Sequence, residues 1–338
     1  MNPITPSESR TRVILRWLVA AAVIAAVVFS GLFVGLLNKA GLVFLFLATV
    51  ASVLTGFSVR EIGAAFRHAA GRPGQPEELK RAAYFWEAAA RNAWILGVLG
   101  SVLNFTLVLG GGGKGIEDTS VRMIESFIVT LYGLVLAVIC LVPSIKLAGR
   151  IGKTGSPSVP KPSGGKTILF ERVTGYVLFA VVLGLMIYSQ AKNAASESPL
   201  PLARIILHGP AALVVFGGAI ALALFMGAGI GAKALTFGFG MTGMIALLLG
   251  LIQTMFGFVH VKIEEIAASV AFIISASLYA LLGLILVAAP LEDRELMEGR
   301  RERPGRLSRM IWKVFPLVTF LFLILTWLLV ITPMKKRG

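Results

Sequence analysis

Charged residues are scarce in this chain of 338 residues. Asp, Glu, Lys and Arg make up only 14% of it, whereas 57% of the residues are hydrophobic and the mean hydropathy is +0.85. A soluble domain has roughly a quarter of its residues charged to keep its surface hydrated, so the composition argues against a water-soluble enzyme. The apolar residues come in long blocks, which also argues against coiled-coil, collagen-like and disordered chains.

Cysteine is nearly absent as well. The single cysteine, Cys140, lies in an apolar run and cannot form an intrachain disulfide. The three histidines share no metal-ligand spacing, so the sequence predicts no metal site. No Ser/His/Asp set, pair of catalytic carboxylates or nucleotide-binding motif appears, and we therefore predict neither an enzyme nor a cofactor.

Acidic residues are outnumbered, 17 against 32 Lys and Arg, for a net charge of +15. In a soluble protein this excess would suggest nucleic acid as the partner. In a membrane protein the same excess usually marks cytoplasmic loops. We therefore expect contact with membrane lipid and none with nucleic acid.

Long apolar runs are the main positive feature of the sequence. A helix needs about 20 apolar residues to cross the bilayer core. Runs of this kind lie near residues 14–37, 41–59, 93–110, 123–145, 173–190, 207–230, 235–259, 266–290 and 314–332. The sequence thus predicts an all-α, polytopic transmembrane bundle of about nine spans, the first of them an uncleaved helix.

The distribution of Lys and Arg predicts the orientation. Most of them fall in segments that face the cytoplasm if the N-terminus does so. An odd number of spans then places the C-terminus outside, although Lys335, Lys336 and Arg337 would prefer the cytoplasm. The orientation of the last helix stays open. Residues 77–94 are rich in Ala, Glu and Lys, and we expect them to form a helix that runs directly into the third span.

Two halves of the sequence resemble each other. Tyr132 precedes Pro143 by the same interval as Tyr279 precedes Pro290, and Gly97–Gly100 aligns with Gly240–Gly243. The predicted parts are a first unit at residues 1–152, a Pro- and Gly-rich cytoplasmic linker at 153–167, a degenerate second unit at 168–295, and a basic cytoplasmic loop with the last transmembrane helix at 296–338. Chance similarity between apolar sequences is the alternative explanation.

Small and polar residues form stripes on the third and fourth predicted spans. One stripe contains Gly97, Gly100, Ser101 and Asn104; the other contains Ser126, Thr130, Gly133 and Ala137. Such stripes let helix backbones approach closely and form hydrogen bonds with each other. Hydroxyl and amide groups on facing stripes could also line a narrow water path. Packing alone explains the same pattern, and the sequence leaves both interpretations open.

Glu125 is the acidic residue that most needs an explanation. A carboxylate at a helix centre costs about 2.5–3.5 kcal/mol on insertion scales. Glu125 lies near the start of its span, where it has a functional role or pairs with Arg122 at the interface. Tyr132 lies on nearly the same face, as a core residue or a hydrogen-bond donor. Gln253, like Asn104, is an amide inside a span and should face protein or water.

Several of these motifs resemble the MotA/TolQ/ExbB proton-channel family. Residues 130–133, Thr-Leu-Tyr-Gly, followed by Ala137 and Pro143, are similar to the last helix of MotA-like subunits. Residues 97–101 resemble the entry to the preceding helix. Glu125 stands five residues before Thr130, as the glutamate does in the TolQ/ExbB branch. The likeness covers most of residues 12–292, in degraded form in the second half.

The resemblance implies a function in the bacterial inner membrane. Family members form a homo-oligomeric ring around single-span partners that carry an intramembrane aspartate, and the proton-motive force drives the complex. It implies an ion-path or partner-facing role for Ser101, Asn104, Glu125, Thr130 and Tyr132, and close packing at Gly97, Gly100, Gly133 and Pro143. We thus predict two tandem MotA-like four-helix units plus a C-terminal helix. A non-conducting scaffold of the same fold and a small-solute transporter, with Asn104, Gln253 and Glu125 converging between the halves, are the alternatives.

Overall fold

In the computed structural model of the protein, every regular element of the described residues is a helix. The structure describes residues 39–110, 116–151, 165–194, 208–225, 231–259, 263–297 and 306–335. The helices are α1 (Lys39–Gly56), α2 (Val59–Ala69), α3 (Pro76–Gly110), α4 (Ile116–Ile151), α5 (Gly165–Ala194), α6 (209–225), α7 (Ala232–Val259), α8 (263–297) and α9 (Arg306–Lys335). The predicted all-helical class is therefore confirmed.

Five of these helices are long and apolar enough to cross a membrane. They correspond to most of the fourth predicted span and to four later ones: Ser126–Ile151, Phe170–Tyr188, Ala232–Gly257, Ile266–Met297 and Ser308–Leu328. The predicted span at 207–230 corresponds to the shorter helix α6. The predicted span at 14–37 and most of the linker at 153–167 lie outside the described residues. The chain is thus a multi-pass helical membrane protein.

A sharp corner separates α1 from α2, which are bent by 112° relative to each other. Ser58 at the corner caps α2: its hydroxyl accepts from the backbone N–H of Glu61 at 3.3 Å, and the Glu61 carboxylate accepts from the backbone N–H of Ser58 at 2.8 Å. This reciprocal capping box satisfies two amides that would otherwise lack partners at a helix start. The predicted span at 41–59 therefore ends earlier, at Gly56.

Helix α3 is continuous from Pro76 to Gly110. Proline suits the first turn of a helix because its missing N–H has no intrahelical acceptor there. Glu77 and Glu78 follow in the first turn, where negative charge is favourable. The prediction that residues 77–94 run directly into the third span is confirmed.

A π-helical turn, Leu284–Ala288, interrupts α8 just before Pro290. Proline has no N–H to donate to the carbonyl four residues earlier, which belongs to Leu286. The hydroxyl of Tyr176 on α5 donates to this carbonyl at 3.1 Å. Helix α5 thus supplies the hydrogen bond that the proline removes from α8.

Helices α3 and α4 touch through their backbones. A Cβ atom on Gly133 would lie 2.6 Å from the Gly97 Cα and 2.8 Å from the Ala93 carbonyl oxygen. A Cβ atom on Gly100 would lie 2.6 Å from a methyl group of Val129. The contact therefore leaves no room for a side chain at Gly133, and a side chain at Gly100 would have to displace Val129.

A related contact occurs between α7 and α8. A Cβ atom on Gly243 would lie 2.8 Å from the Cβ atom of Ala280, the residue after Tyr279. Gly240, which the alignment pairs with Gly97, instead faces Ile311 of α9. In the pair α7–α8, Gly243 therefore occupies the position that Gly97 has in the pair α3–α4. The tandem duplication itself stays a prediction.

We expect Gly133→Ala to destabilise the protein because the three nearest atoms that the new methyl group would meet all belong to the backbone. Overpacking costs about 1–3 kcal/mol. Thermal unfolding in mild detergent measures the effect. Gly149→Ala on the same helix is the matched control, since its Cβ would meet nothing within 4 Å. An equal melting temperature for the two variants would contradict the backbone contact.

Candidate functional site: a hydroxyl seam and a buried ion network

The two stripes meet in a hydroxyl seam formed by Ser101 of α3 and Thr130 of α4. Their hydroxyl oxygens are 2.6 Å apart, and Ser101 also donates to the backbone carbonyl of Ser126 at 2.5 Å. The backbone N–H of Thr130 approaches the Ser101 oxygen at 3.2 Å, and the Thr130 hydroxyl lies 3.4 Å from the Gly97 carbonyl. Ser101 is fully buried and Thr130 is 4% exposed. The structure therefore brings the two predicted hydroxyls together.

The other predicted site residues lie around the seam or outside the described part. Asn104 is buried in α3, one turn beyond Gly100. Tyr132 is half-buried and packs against the main hydrophobic core, and Pro143 is half-buried within α4. The side chain of Glu125 lies outside the described residues.

The seam is a buried contact between two helices. Its hydroxyls carry no charge, and both are used in hydrogen bonds between α3 and α4. The opposite face of α4 is exposed and apolar, with Leu134, Val138 and Ile145 as examples. In this arrangement the seam can stabilise the helix pair, and its hydroxyls can serve a ligand only where α3 and α4 move apart.

A second polar feature, a buried ion network, was not predicted from the sequence. Arg91 of α3 donates both hydrogen bonds of one terminal nitrogen to Asp293, at 2.9 Å to each carboxylate oxygen. Its other terminal nitrogen lies 3.5 Å from Glu292. The carboxyl side chains are 1% exposed and the arginine side chain is 11% exposed. Buried charges of this kind are tolerated only when paired and hydrogen-bonded.

Neutral donors complete the network. Tyr84 donates to Asp293 at 2.6 Å, while Ser308 and Trp312 of α9 donate to Glu292 at 2.8 Å and 2.6 Å. The Arg91 guanidinium also lies over the Trp312 ring, 4.6 Å from its centroid, in cation–π geometry. All four carboxylate oxygens of the acidic pair therefore accept hydrogen bonds.

Two further observations show how closely the network is packed. Burial and the neighbouring Asp293 carboxylate raise the pKa of Tyr84 well above its ordinary value, so its hydroxyl stays a donor at physiological pH. A Cβ atom on Gly56 at the end of α1 would lie 2.7 Å from an Asp293 carboxylate oxygen. Four helices, α1, α3, α8 and α9, therefore meet at this network.

Ser308 lies near the start of the segment predicted as a basic cytoplasmic loop and last helix, yet it is only 2% exposed and donates to Glu292. Sequence reasoning treated Arg91 as one more basic residue of a cytoplasmic segment. The available signal was the pair Glu292-Asp293 at the end of an apolar run, two residues after Pro290. Within the described ranges, no group of three or more His, Cys, Asp or Glu could hold a metal ion.

The amides expected to converge in a transporter site do not share a location. Gln253 lies on an exposed face of α7, whereas Asn104 is buried in α3. The described residues therefore show no joint site for these two amides.

Comparison with known proteins identifies one family. The model of the MotA/TolQ/ExbB proton channel family matches residues 46–155, about a third of the 338 residues. The match contains the whole hydroxyl seam and Arg91, but not the carboxylates that Arg91 binds. No curated protein and no solved structure matches the chain.

We expect Arg91→Met to destabilise the protein strongly because it leaves two buried carboxylates without their cation. Breaking one partner of a buried ion pair costs about 3–5 kcal/mol. Thermal unfolding in detergent measures this, with Arg309→Met, an exposed arginine of α9, as the control. In a double-mutant cycle, the variant with both Arg91→Met and Asp293→Asn should lose less unfolding free energy than the sum of the losses in the two single variants. Strict additivity would contradict the pairing.

Proposed function

We propose that this chain, whose residues 46–155 belong to the MotA/TolQ/ExbB proton channel family, is the multi-span subunit of an ion-channel complex driven by the proton-motive force. The observation that carries the proposal is the position of the hydroxyl seam. Ser101 and Thr130 pair across α3 and α4 within the matched segment. They are two of the five residues to which the resemblance assigns an ion-path or partner-facing role.

The proposed complex contains several copies of this chain in the bacterial inner membrane, with the N-terminus in the cytoplasm. It also contains a single-span partner with an aspartate in its span. The lysine and arginine distribution supports the orientation. The need for a partner is supported by chemistry, because the seam offers hydrogen bonds but no group that can take up a proton at neutral pH.

In the proposed mechanism, the seam hydroxyls act on the partner's carboxylate. A charge in a low-dielectric region needs hydrogen-bond donors, and Thr130 can provide one when α4 moves away from α3. The exposed face of α4 near Leu134 and Val138 is apolar, so the movement of this part of the helix would break no polar contact there. Glu125, five residues before Thr130, is proposed to face the same path.

A non-conducting scaffold of the same fold is the second candidate. The full burial of Ser101 supports it, because the hydrogen bonds of this hydroxyl to Ser126 and Thr130 hold α3 and α4 together. A small-solute transporter has less support, since Gln253 and Asn104 do not lie together.

The partner can be tested by purifying the chain from its native host in mild detergent and identifying co-purifying proteins by mass spectrometry. We expect a single-span protein with an intramembrane aspartate. Recovery of the chain alone, as a monomer or a closed homo-oligomer, would contradict the proposed ion-channel complex and support the scaffold.

The seam can be tested by Thr130→Val, which keeps the shape of the side chain and removes its hydroxyl. Proton flux into proteoliposomes that contain the purified complex should fall about tenfold, because one lost hydrogen bond costs about 1–1.5 kcal/mol in the barrier. The melting temperature should change little. Glu125→Gln should also lower the flux.

Thr106→Val is the matched control for this experiment. Thr106 is buried on α3 as well, but its hydroxyl donates to the Val102 carbonyl of its own helix at 2.7 Å. Its removal should leave the flux unchanged. Equal flux in the wild type and in Thr130→Val would exclude the seam from the ion path. Absence of flux in the wild-type complex would favour the scaffold.

A further inference from the structure

Helix α2 has a position that the proposed function does not explain. It follows the apolar helix α1 after a bend of 112°. If α1 crosses the bilayer, a helix at this angle runs nearly parallel to the membrane surface. Ala65 and His68 bury one side of α2 against the rest of the protein. The other side is left open at the level where the span ends.

The open side of α2 has two adjoining strips. Val59 and Phe66 form an apolar strip, with 57% and 55% exposure. Arg60 and Arg67, also exposed, form a basic strip beside it. Each pair is seven positions apart, so both members lie on one helix face about 10 Å from each other. Apolar side chains next to arginines are typical of helices that lie at the boundary of acyl chains and headgroups.

Among the described residues, neither the Arg60 nor the Arg67 guanidinium forms an ion pair. Two carboxylates near the start of α2, those of Glu61 and Glu171, accept hydrogen bonds from other groups. Glu61 accepts from the backbone N–H and hydroxyl of Ser58, and Glu171 accepts from the backbone N–H of Val59 at 3.2 Å.

More positive charge lies at the other end of α2. Lys146 and Arg150 of α4 reach over to its last carbonyls, at 3.5 Å from Ala69 and 3.2 Å from His68. Cations near a helix C-terminus are stabilised by its dipole. They add to the positive potential of the same membrane-facing region.

We propose that the open side of α2 is a binding surface for anionic phospholipid, with Arg60 and Arg67 contacting the phosphate groups and Val59 and Phe66 inserted among the acyl chains. Arginine forms bidentate hydrogen bonds with phosphate, which favours it over lysine at such a site. This surface needs no conduction and no partner aspartate, so it stands whether or not the chain forms a channel.

The proposal can be tested with the full chain in vesicles of phosphatidylcholine containing a spin-labelled lipid. Electron paramagnetic resonance gives the fraction of labelled lipid that the protein immobilises. The wild type should immobilise labelled phosphatidylglycerol more than labelled phosphatidylcholine. Each basic group near a membrane surface contributes about fivefold in affinity for anionic lipid. High salt should reduce this preference.

The variant Arg60→Gln with Arg67→Gln should lose the preference for phosphatidylglycerol. The matched control is Arg309→Gln with Lys313→Gln, a pair of exposed basic residues on α9; it should keep the preference. Equal immobilisation of the two lipids by the wild type, or an undiminished preference in the α2 variant, would overturn the proposal. The first result would leave an acidic protein as the candidate for this surface.

Discussion

The contact between the backbones of Gly97 and Gly133 determines how the candidate site is built. Packed helix axes usually lie 8–10 Å apart, at a distance set by the side chains between them. Glycine at both positions removes those side chains, so that the Ser101 hydroxyl on α3 reaches the Ser126 carbonyl and the Thr130 hydroxyl on α4. A methyl group at either glycine would separate the helices and leave buried hydroxyls without partners. The seam is therefore a consequence of the close approach.

The ion network fixes the other side of α3. Arg91 binds carboxylates that lie about 200 positions later in the chain, and α9 completes their hydrogen bonds through Trp312. The matched family segment is therefore attached to the C-terminal part of the chain by buried charges, whose separation is costly. Since α3 is held by this network, the proposed opening of the seam would move α4. If the two predicted units arose by duplication, these buried ion pairs join them.

Local periodicity predicted the parts of the fold that depend on neighbouring residues. The length of the apolar runs predicted the helical class and the continuous helix α3. The spacing of small residues predicted that Ser101 and Thr130 lie on facing stripes. The Arg91 network could not be predicted in this way, because its members are far apart in sequence. Each charged residue adjoins an apolar run, where a solvent-exposed helix end is the ordinary interpretation. The corner before α2 was detectable: Ser58 followed by Glu61 at the third position is a capping-box pattern. The second glycine contact was not predictable in this way, because α9 packs against both Gly240 and Gly243, through Ile311 and Phe315.

The hydrogen-bond directions within the seam limit what it can do in a proton channel. A relay of protons needs each member to accept a proton on one side and release one on the other. Ser101 donates to the Ser126 carbonyl, which has no proton to pass on. The Thr130 hydroxyl has two acceptors within reach, the Ser101 oxygen and the Gly97 carbonyl, for its single proton. The pair therefore does not form a continuous relay. Its chemistry instead suits the stabilisation of a negative charge brought by another helix, which is why the proposed function requires a carboxylate from a partner.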